Sequence, residues 1–320
     1  MNRRTVRRLL LAAVALVALV ALAGSAGAGS RTLRYVLRGP VFPEGVAYEP
    51  GTFRFYVSST TDGTILRGDL RRTQTSVFLP GGTDGRTTAI GLKADGRGGL
   101  YVAGGATGRI FVYSTRTRQL VRRFETGSGG FINDVTVAAN GDSYYTDSLR
   151  PVIYRVPASD LRRATETPTP LAPWLSLAGR EIQYVAGFNL NGILATPGGR
   201  YLLTVQANTG RIYRIDTISQ EIVELDLGGT RLTGGDGLVL RGLTLYVVRG
   251  GAGEVAVVRL NGELTRGEVL ESIKDPSFAF PTTAALAPKG VLLVVNSQFD
   301  KRAPGQTPVL PFTVSGVSAR

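Results

Sequence analysis

Four oxygen-bearing side chains recur at one phase of this chain: Glu44 in FPEGVAYEP, Asn133 in FINDVTVAANG, Asn191 in FNLNGILATP and Asp236 in GGDGLVLRG. Each comes just before a run that reads as a strand. Each lies ten to twelve residues ahead of an anchor residue: Tyr56, Tyr144, Leu203 or Tyr246. Two carboxylates and two carboxamides, with no nitrogen or sulfur donor, make a ligand set for a hard cation. Calcium suits such a set because it tolerates irregular oxygen shells and keeps waters, whereas magnesium demands stricter octahedral geometry. Asn-Gly and Asp-Gly are also ordinary turn dipeptides, so a plain turn is the competing reading at Asn191 and Asp236. Glu is a poor turn former, and the shared phase favours the metal reading.

The elements that must position these residues form a repeat. Five segments align: FYVSSTTDGTI (55–65), LYVAGGATGRI (100–110), SYYTDSLRPVI (143–153), LLTVQANTGRI (202–212) and LYVVRGGAGEV (245–255). Each reads as strand, tight turn, strand. A sixth, LLVVNSQFDKR (292–302), starts alike and then departs into a longer loop. The anchors Tyr56, Tyr101, Tyr144, Leu203, Tyr246 and Leu293 stand about 45 apart, apart from a longer gap after the third, a period that marks propeller blades. The expectation is an all-β, six-bladed β-propeller of four-stranded antiparallel blades, whose inner strands surround a central channel. Outer strands are expected at TSVFL (75–79) and EIVELDL (221–227). PFTVSGV (311–317) and LRYVLRG (33–39) are expected to close the last blade from both ends of the chain, which removes exposed edges. The long gap, 159–187, reads as an insertion that begins as a short helix, continues Pro-rich and carries Trp174. In blades two and six the channel phase falls on Ile90 and Thr282.

The N-terminal stretch is not expected to belong to this domain. Arg3, Arg4, Arg7 and Arg8 precede an apolar run from Leu9 to Leu22, and small residues follow. That pattern is a signal peptide, set at residues 1–28, with one propeller domain at 31–320. An uncleaved anchor is the other reading, and the paired arginines leave twin-arginine export open. The expected location is secreted, periplasmic or cell-envelope, with no stable membrane association after cleavage. The chain has no cysteine and no histidine. Disulfides, Ser-His-Asp triads and His-ligated zinc are therefore excluded. Removing the four leader arginines from the net charge of +13 leaves about +9. The remaining arginines are scattered rather than blocked, so a solvated surface is expected and nucleic acid is not.

On the motifs PEG with Glu44, ND with Asn133 and Asp134, NGI with Asn191 and DGL with Asp236, the chain resembles the SMP-30/gluconolactonase family. Those proteins are calcium-dependent six-bladed propellers related to paraoxonase-like and diisopropylfluorophosphatase-like enzymes. The resemblance spans residues 34 to 317. It implies that Glu44, Asn133, Asn191 and Asp236 hold a catalytic calcium. It also implies that Asp236 acts as base toward water or as nucleophile in hydrolysis of a lactone or related ester. Paraoxonase-like relatives use histidines near the metal, so that part of their mechanism does not carry over. Strictosidine-synthase-like lyase chemistry is disfavoured, because those relatives lack this ligand set. The alternative is a non-catalytic exported propeller in which calcium only braces the channel. Asn189, Thr282 and Asn208 are the expected contacts to a small-molecule substrate, and the chain is expected to be a monomer. The neighbouring Asp134 can face the channel wall or the blade.

Overall fold

The computed structural model describes residues 32–165 and 167–319. The expected signal segment lies outside them. Thr32–Arg320 form one compact unit, all-β apart from short 3₁₀ turns.

The strands carry continuous apolar runs because both of their faces are buried. In Arg54–Ser59, Phe55 and Val57 pack with Leu293 and Val314 on one side. Tyr56, between them, packs with Leu100 and Phe111 on the other. Successive side chains of a strand point to opposite faces, so each sheet is sandwiched between two others and alternate residues serve different cores. The anchors Tyr56, Tyr101, Tyr144, Leu203, Tyr246 and Leu293 are all buried in these inter-sheet clusters. Tyr246 and Leu203 are fully enclosed.

Each sheet is a meander of antiparallel strands whose first member lies innermost. These first members are Pro43–Tyr48, Leu92–Ala94, Ile132–Val137, Leu190–Ala195, Gly235–Arg241 and Pro281–Ala287. Each packs against the next, and the last packs against the first, so they form a closed ring. The terminal strand Leu33–Val36 pairs antiparallel with Thr313–Ser318, from Leu33 opposite Gly316 to Val36 opposite Thr313. A single parallel bridge from Val36 to Gln74 joins that sheet to the first one. Both ends of the chain thus complete one sheet, and its edge is covered, as expected.

The segment expected to be an insertion is partly structural. Ala158–Leu161 forms a short 3₁₀ turn. Pro173–Ser176 is then the outermost strand of the third sheet, paired with Val152–Val156, and Trp174 packs edge-on to Tyr144. Thr169–Pro170 adds to the second sheet, parallel to Leu120–Glu125. Proline donates no hydrogen bond, so it is tolerated at such edges and hides them from a sequence reading. One arginine also departs from the surface reading. Arg86 is fully buried, donating from Nε to the Gly63 carbonyl at 2.7 Å and from Nη2 to the Pro80 carbonyl at 2.8 Å.

Candidate metal centre

Five of the six inner strands break register at the same place. Pairing skips from Pro43 to Val46, from Ile132 to Val135, from Leu190 to Ile193, from Gly235 to Leu238 and from Pro281 to Ala284. Two residues on the inner strand are left out of the ladder each time: Glu44-Gly45, Asn133-Asp134, Asn191-Gly192, Asp236-Gly237 and Thr282-Thr283. Such bulges bend a strand and re-aim a side chain. The backbone groups that the bulge frees find hydroxyl partners. Thr146 Oγ1 donates to the Asn191 carbonyl at 2.7 Å, Thr204 Oγ1 to the Gly192 carbonyl at 2.9 Å, and Thr282 Oγ1 to the Glu44 carbonyl at 2.8 Å.

The glycine that follows Glu44, Asn191 and Asp236 is there for close approach. A Cβ on Gly192 would sit 2.1 Å from the Asp236 carbonyl oxygen, and one on Gly45 would sit 2.6 Å from the Ile90 carbonyl oxygen. A Cβ on Gly237 would meet Thr283 Cα at 2.7 Å. Neither Gly45, Gly192 nor Gly237 has a positive φ, unlike the turn glycines Gly63 and Gly210. The turn reading of Asn191-Gly192 and Asp236-Gly237 therefore does not describe their backbone. The missing side chain lets neighbouring inner strands touch.

Four buried side-chain oxygens have no hydrogen-bond partner: Glu44 Oε2, Asn133 Oδ1, Asn191 Oδ1 and Asp236 Oδ1. These belong to the four residues expected from the sequence. The other side-chain polar atoms of Asn133 and Glu44 are engaged. Asn133 Nδ2 donates to Ser148 Oγ at 2.7 Å, and Ser148 Oγ donates to the Leu190 carbonyl at 2.6 Å. The Asn191 side chain lies near enough to Asp236 to oppose the rise of its carboxyl. Thr283 Oγ1 reaches Glu44 Oε1 at 3.4 Å. Each of the four side chains has one buried oxygen left over. Buried polar groups without partners are rare in native proteins, and four on one repeated bulge ask for a common partner. Among the described residues no three His, Cys, Asp or Glu side chains gather as a ligating group. Half of the orphaned oxygens here are carboxamide.

The electrostatics agree. Burial, then the negative charges of Asp236 and Asp134, push the Glu44 carboxyl well above the usual carboxylate range. Burial, then Asp134, does the same for Asp236. The Asp134 carboxyl, which sequence alone left undecided, is buried and accepts a hydrogen bond from the Ile193 N–H at 3.1 Å. Burial raises it to about 6, although backbone N–H groups and Lys93 oppose the rise. Burial and neighbouring carboxyls thus disfavour the charged forms of Glu44 and Asp236, and a nearby cation would relieve that cost. A divalent cation fits the orphaned oxygens in number, type and charge.

Of the three expected substrate contacts, Asn189 and Thr282 are buried and engaged within the protein, and Asn208 is exposed. Asn189 is buried, and its Nδ2 donates to the Val185 and Gly187 carbonyls at 2.8 and 2.9 Å. Its Oδ1 accepts from the Val185 N–H at 2.9 Å and from Gln206 Nε2 at 2.9 Å. It holds a loop together and has no atom to spare. Asn208 is exposed and donates to Asn189 Oδ1 at 3.1 Å. Thr282 is fully buried, with its hydroxyl on Glu44. Two aromatic residues lie just ahead of the bulges. Phe131 and Phe188 meet edge-on with centroids 4.9 Å apart, and Phe188 is 47% exposed. Leu149 and Val185, on the adjoining loops, are exposed as well.

No family model matches this chain. No curated protein matches it either. Solved structures do resemble it. The major allergen Mala s 1 of Malassezia sympodialis is 15% identical with a TM-score of 0.66, covering 89% of this chain and 95% of its own. Regucalcin of Agrobacterium tumefaciens, a calcium-binding protein, is 18% identical with a TM-score of 0.62, covering 87% of this chain and 91% of its own. Virginiamycin B lyase of Staphylococcus aureus is 12% identical with a TM-score of 0.60, covering 91% and 99%. The likeness is one of fold, and these neighbours include propeller proteins.

Proposed function

We propose that this chain is an exported six-bladed propeller, similar to the SMP-30/gluconolactonase family, that hydrolyses lactones or related esters with calcium bound to Glu44, Asn133, Asn191 and Asp236. The observation that carries this reading is the set of four orphaned buried oxygens on one repeated bulge. The likeness in fold to a calcium-binding regucalcin supports it. When bound, the cation supplies Lewis-acid polarisation of a carbonyl or phosphoryl oxygen. Asp236 is the residue that takes a proton from water or attacks the substrate carbon, with the Asn191 side chain beside it. Asn133, fixed by Ser148, turns its amide oxygen inward. The Phe131–Phe188 pair offers an apolar wall to the acyl part of a substrate and limits access of water. The protein works as a monomer on a small molecule in a secreted or periplasmic setting, without nucleic acid.

A second reading rests on the origin of the four oxygens. They come from four different sheets, so a cation there would tie the ring together even without chemistry. Hydrolysis of a panel of lactones and aryl esters by the calcium-loaded chain and by Asp236→Asn separates the two. Turnover that Asp236→Asn removes, with the calcium-induced rise in melting temperature retained, is the expected result. Calcium stabilisation with no turnover on any substrate would assign the bracing role.

A further inference from the structure

The hairpin turns at the far end of the first two sheets, away from the bulges, form one basic surface. In the first sheet, the turns that join Pro43–Tyr48 to Arg54–Ser59 and Ile65–Asp69 to Arg72–Leu79 expose Arg54, Arg71 and Arg72. In the second, the turns that join Leu92–Ala94 to Gly99–Ala103 and Arg109–Ser114 to Leu120–Glu125 expose Lys93, Arg97, Arg116 and Arg118. These turns touch. Thr115 Oγ1 donates to Glu49 Oε1 at 2.7 Å, and a Cβ on Gly96 would sit 3.0 Å from the Pro50 ring. The guanidinium of Arg118 crosses from the second sheet to lie over the Phe78 ring of the first, 5.4 Å from its centroid. The few carboxylates of this surface are already engaged. Glu49 is buried, and also accepts the Tyr56 hydroxyl at 3.0 Å. Asp69 is held in the fork of Arg71, 2.9 Å from Nε and 2.7 Å from Nη2. Asp95 accepts the N–H groups of Arg97 and Gly99 at 2.7 and 2.9 Å. The side chains of Arg72, Lys93, Arg97 and Arg116 have neither a hydrogen bond nor an ion pair among the described residues. Among these exposed cations stands Phe53, itself 51% exposed, with the Arg71 guanidinium 4.4 Å from its ring centroid.

We propose that this end of the domain docks on an anionic phospholipid surface, with the exposed arginines and Lys93 on the headgroups and the Phe53 ring at their level. Each Lys or Arg close to an anionic leaflet raises partitioning by roughly fivefold, and salt screens the effect. Aromatic rings settle at the membrane interface, and Arg71 over Phe53 keeps a cation beside the ring. Among the described residues no helix is long and apolar enough to cross a membrane. The docking is peripheral and, resting on exposed charge, salt-sensitive. A single-stranded nucleic acid calls for several stacking aromatics, whereas Phe53 is the only aromatic residue in these turns. The four orphaned oxygens lie at the other end of the same inner strands, so a docked protein keeps them turned away from the bilayer. None of the cations named here carries an orphaned oxygen or belongs to a bulge, so docking is independent of the calcium reading.

Co-sedimentation of residues 32–320, the compact unit, with phospholipid vesicles tests this. Vesicles of phosphatidylcholine with about one-third phosphatidylglycerol should bind at least tenfold more tightly than phosphatidylcholine alone, and high salt should abolish the difference. Arg97→Glu combined with Arg116→Glu should lose at least tenfold in affinity for the anionic vesicles. Lys274→Glu combined with Lys301→Glu makes the same change of net charge at the bulged end and should lose less than about threefold. Phe53→Ser should weaken vesicle binding several-fold and leave binding to soluble polyphosphate unchanged. All of these side chains are on the surface, and thermal melts matching the parent confirm that the variants fold. No preference for phosphatidylglycerol would overturn the proposal. An equal loss in the two charge variants would replace it with non-specific attraction, and vesicle binding untouched by Phe53→Ser would replace the bilayer with a soluble polyanion.

Discussion

The two ends of the inner ring are built from the same strands and hold opposite chemistry. At one end, bulges turn Glu44, Asn133, Asn191 and Asp236 inward and leave four oxygens without partners. Only a few residues further along those strands the pairing is regular, the wall is aliphatic, and the one charge is the cation of Lys93. The contrast teaches that position along a strand, rather than composition, sets which groups the channel presents. A bulge changes which residues face the axis and frees backbone for side-chain hydroxyls to hold. Where the ladder is regular, residues that pack well are enough.

The sharpest way to break the comparison is to fill a contact that the bulge requires. Gly192→Ala places a methyl 2.1 Å from the Asp236 carbonyl oxygen, a backbone atom that cannot step aside. It should cost about 3 kcal/mol or more of stability, or prevent folding. The control, Gly198→Ala, meets nothing within 4 Å and should change stability by less than about 0.5 kcal/mol. Chemical denaturation of both variants reads the difference.

Glu44→Gln should change sign with the metal. In chelator it removes a buried, repelled carboxyl and should stabilise the protein by about 1 kcal/mol. In calcium it removes a charged ligand and should destabilise by a similar or larger amount. Melts of variant and parent in both conditions test it, and the same sign in both would break the link between the carboxyl and a cation.

The pH dependence follows from the raised carboxyls. With folded pKa values above their unfolded ones, Glu44, Asp134 and Asp236 hold more protons in the folded state. Their contribution to metal-free stability is complete below the unfolded values. It is lost as pH rises through the folded ones, with Asp134 near 6. Metal-free protein should therefore melt lower at pH 7.5 than at pH 5, and calcium should stabilise it more at the higher pH. A calcium effect that grew on acidification would contradict this. The smallest effect is expected at Asn208, which is exposed. Asn208→Ala should leave turnover unchanged and stability within about 0.5 kcal/mol.

Much of the fold was legible because a repeat advertises itself several times over. The anchors, the outer strands and the closing strand Leu33–Val36 all follow from one period. The shared phase of the four residues that carry the orphaned oxygens was legible for the same reason. Other features were not. Asn-Gly reads alike whether the glycine turns the chain or lets two strands touch, and only the backbone separates the cases. Asn189 and Thr282 sit beside the donors in sequence, yet buried loop and bulge carbonyls needed partners and took them. Pro173–Ser176 was masked by its proline. Asp134 gave no signal in sequence, since the bulge alone turns it toward the neighbouring strand.

The central claim is that the four orphaned oxygens await a divalent cation. A thermal melt of residues 32–320, the compact unit, in calcium, in magnesium and in chelator tests it most directly. At a hundredfold excess over the dissociation constant, calcium should add about 2.7 kcal/mol. That corresponds to a rise of about 5–10 °C, with a much smaller response to magnesium. A melting temperature that does not respond to calcium would contradict the claim and leave the bulges without their proposed partner.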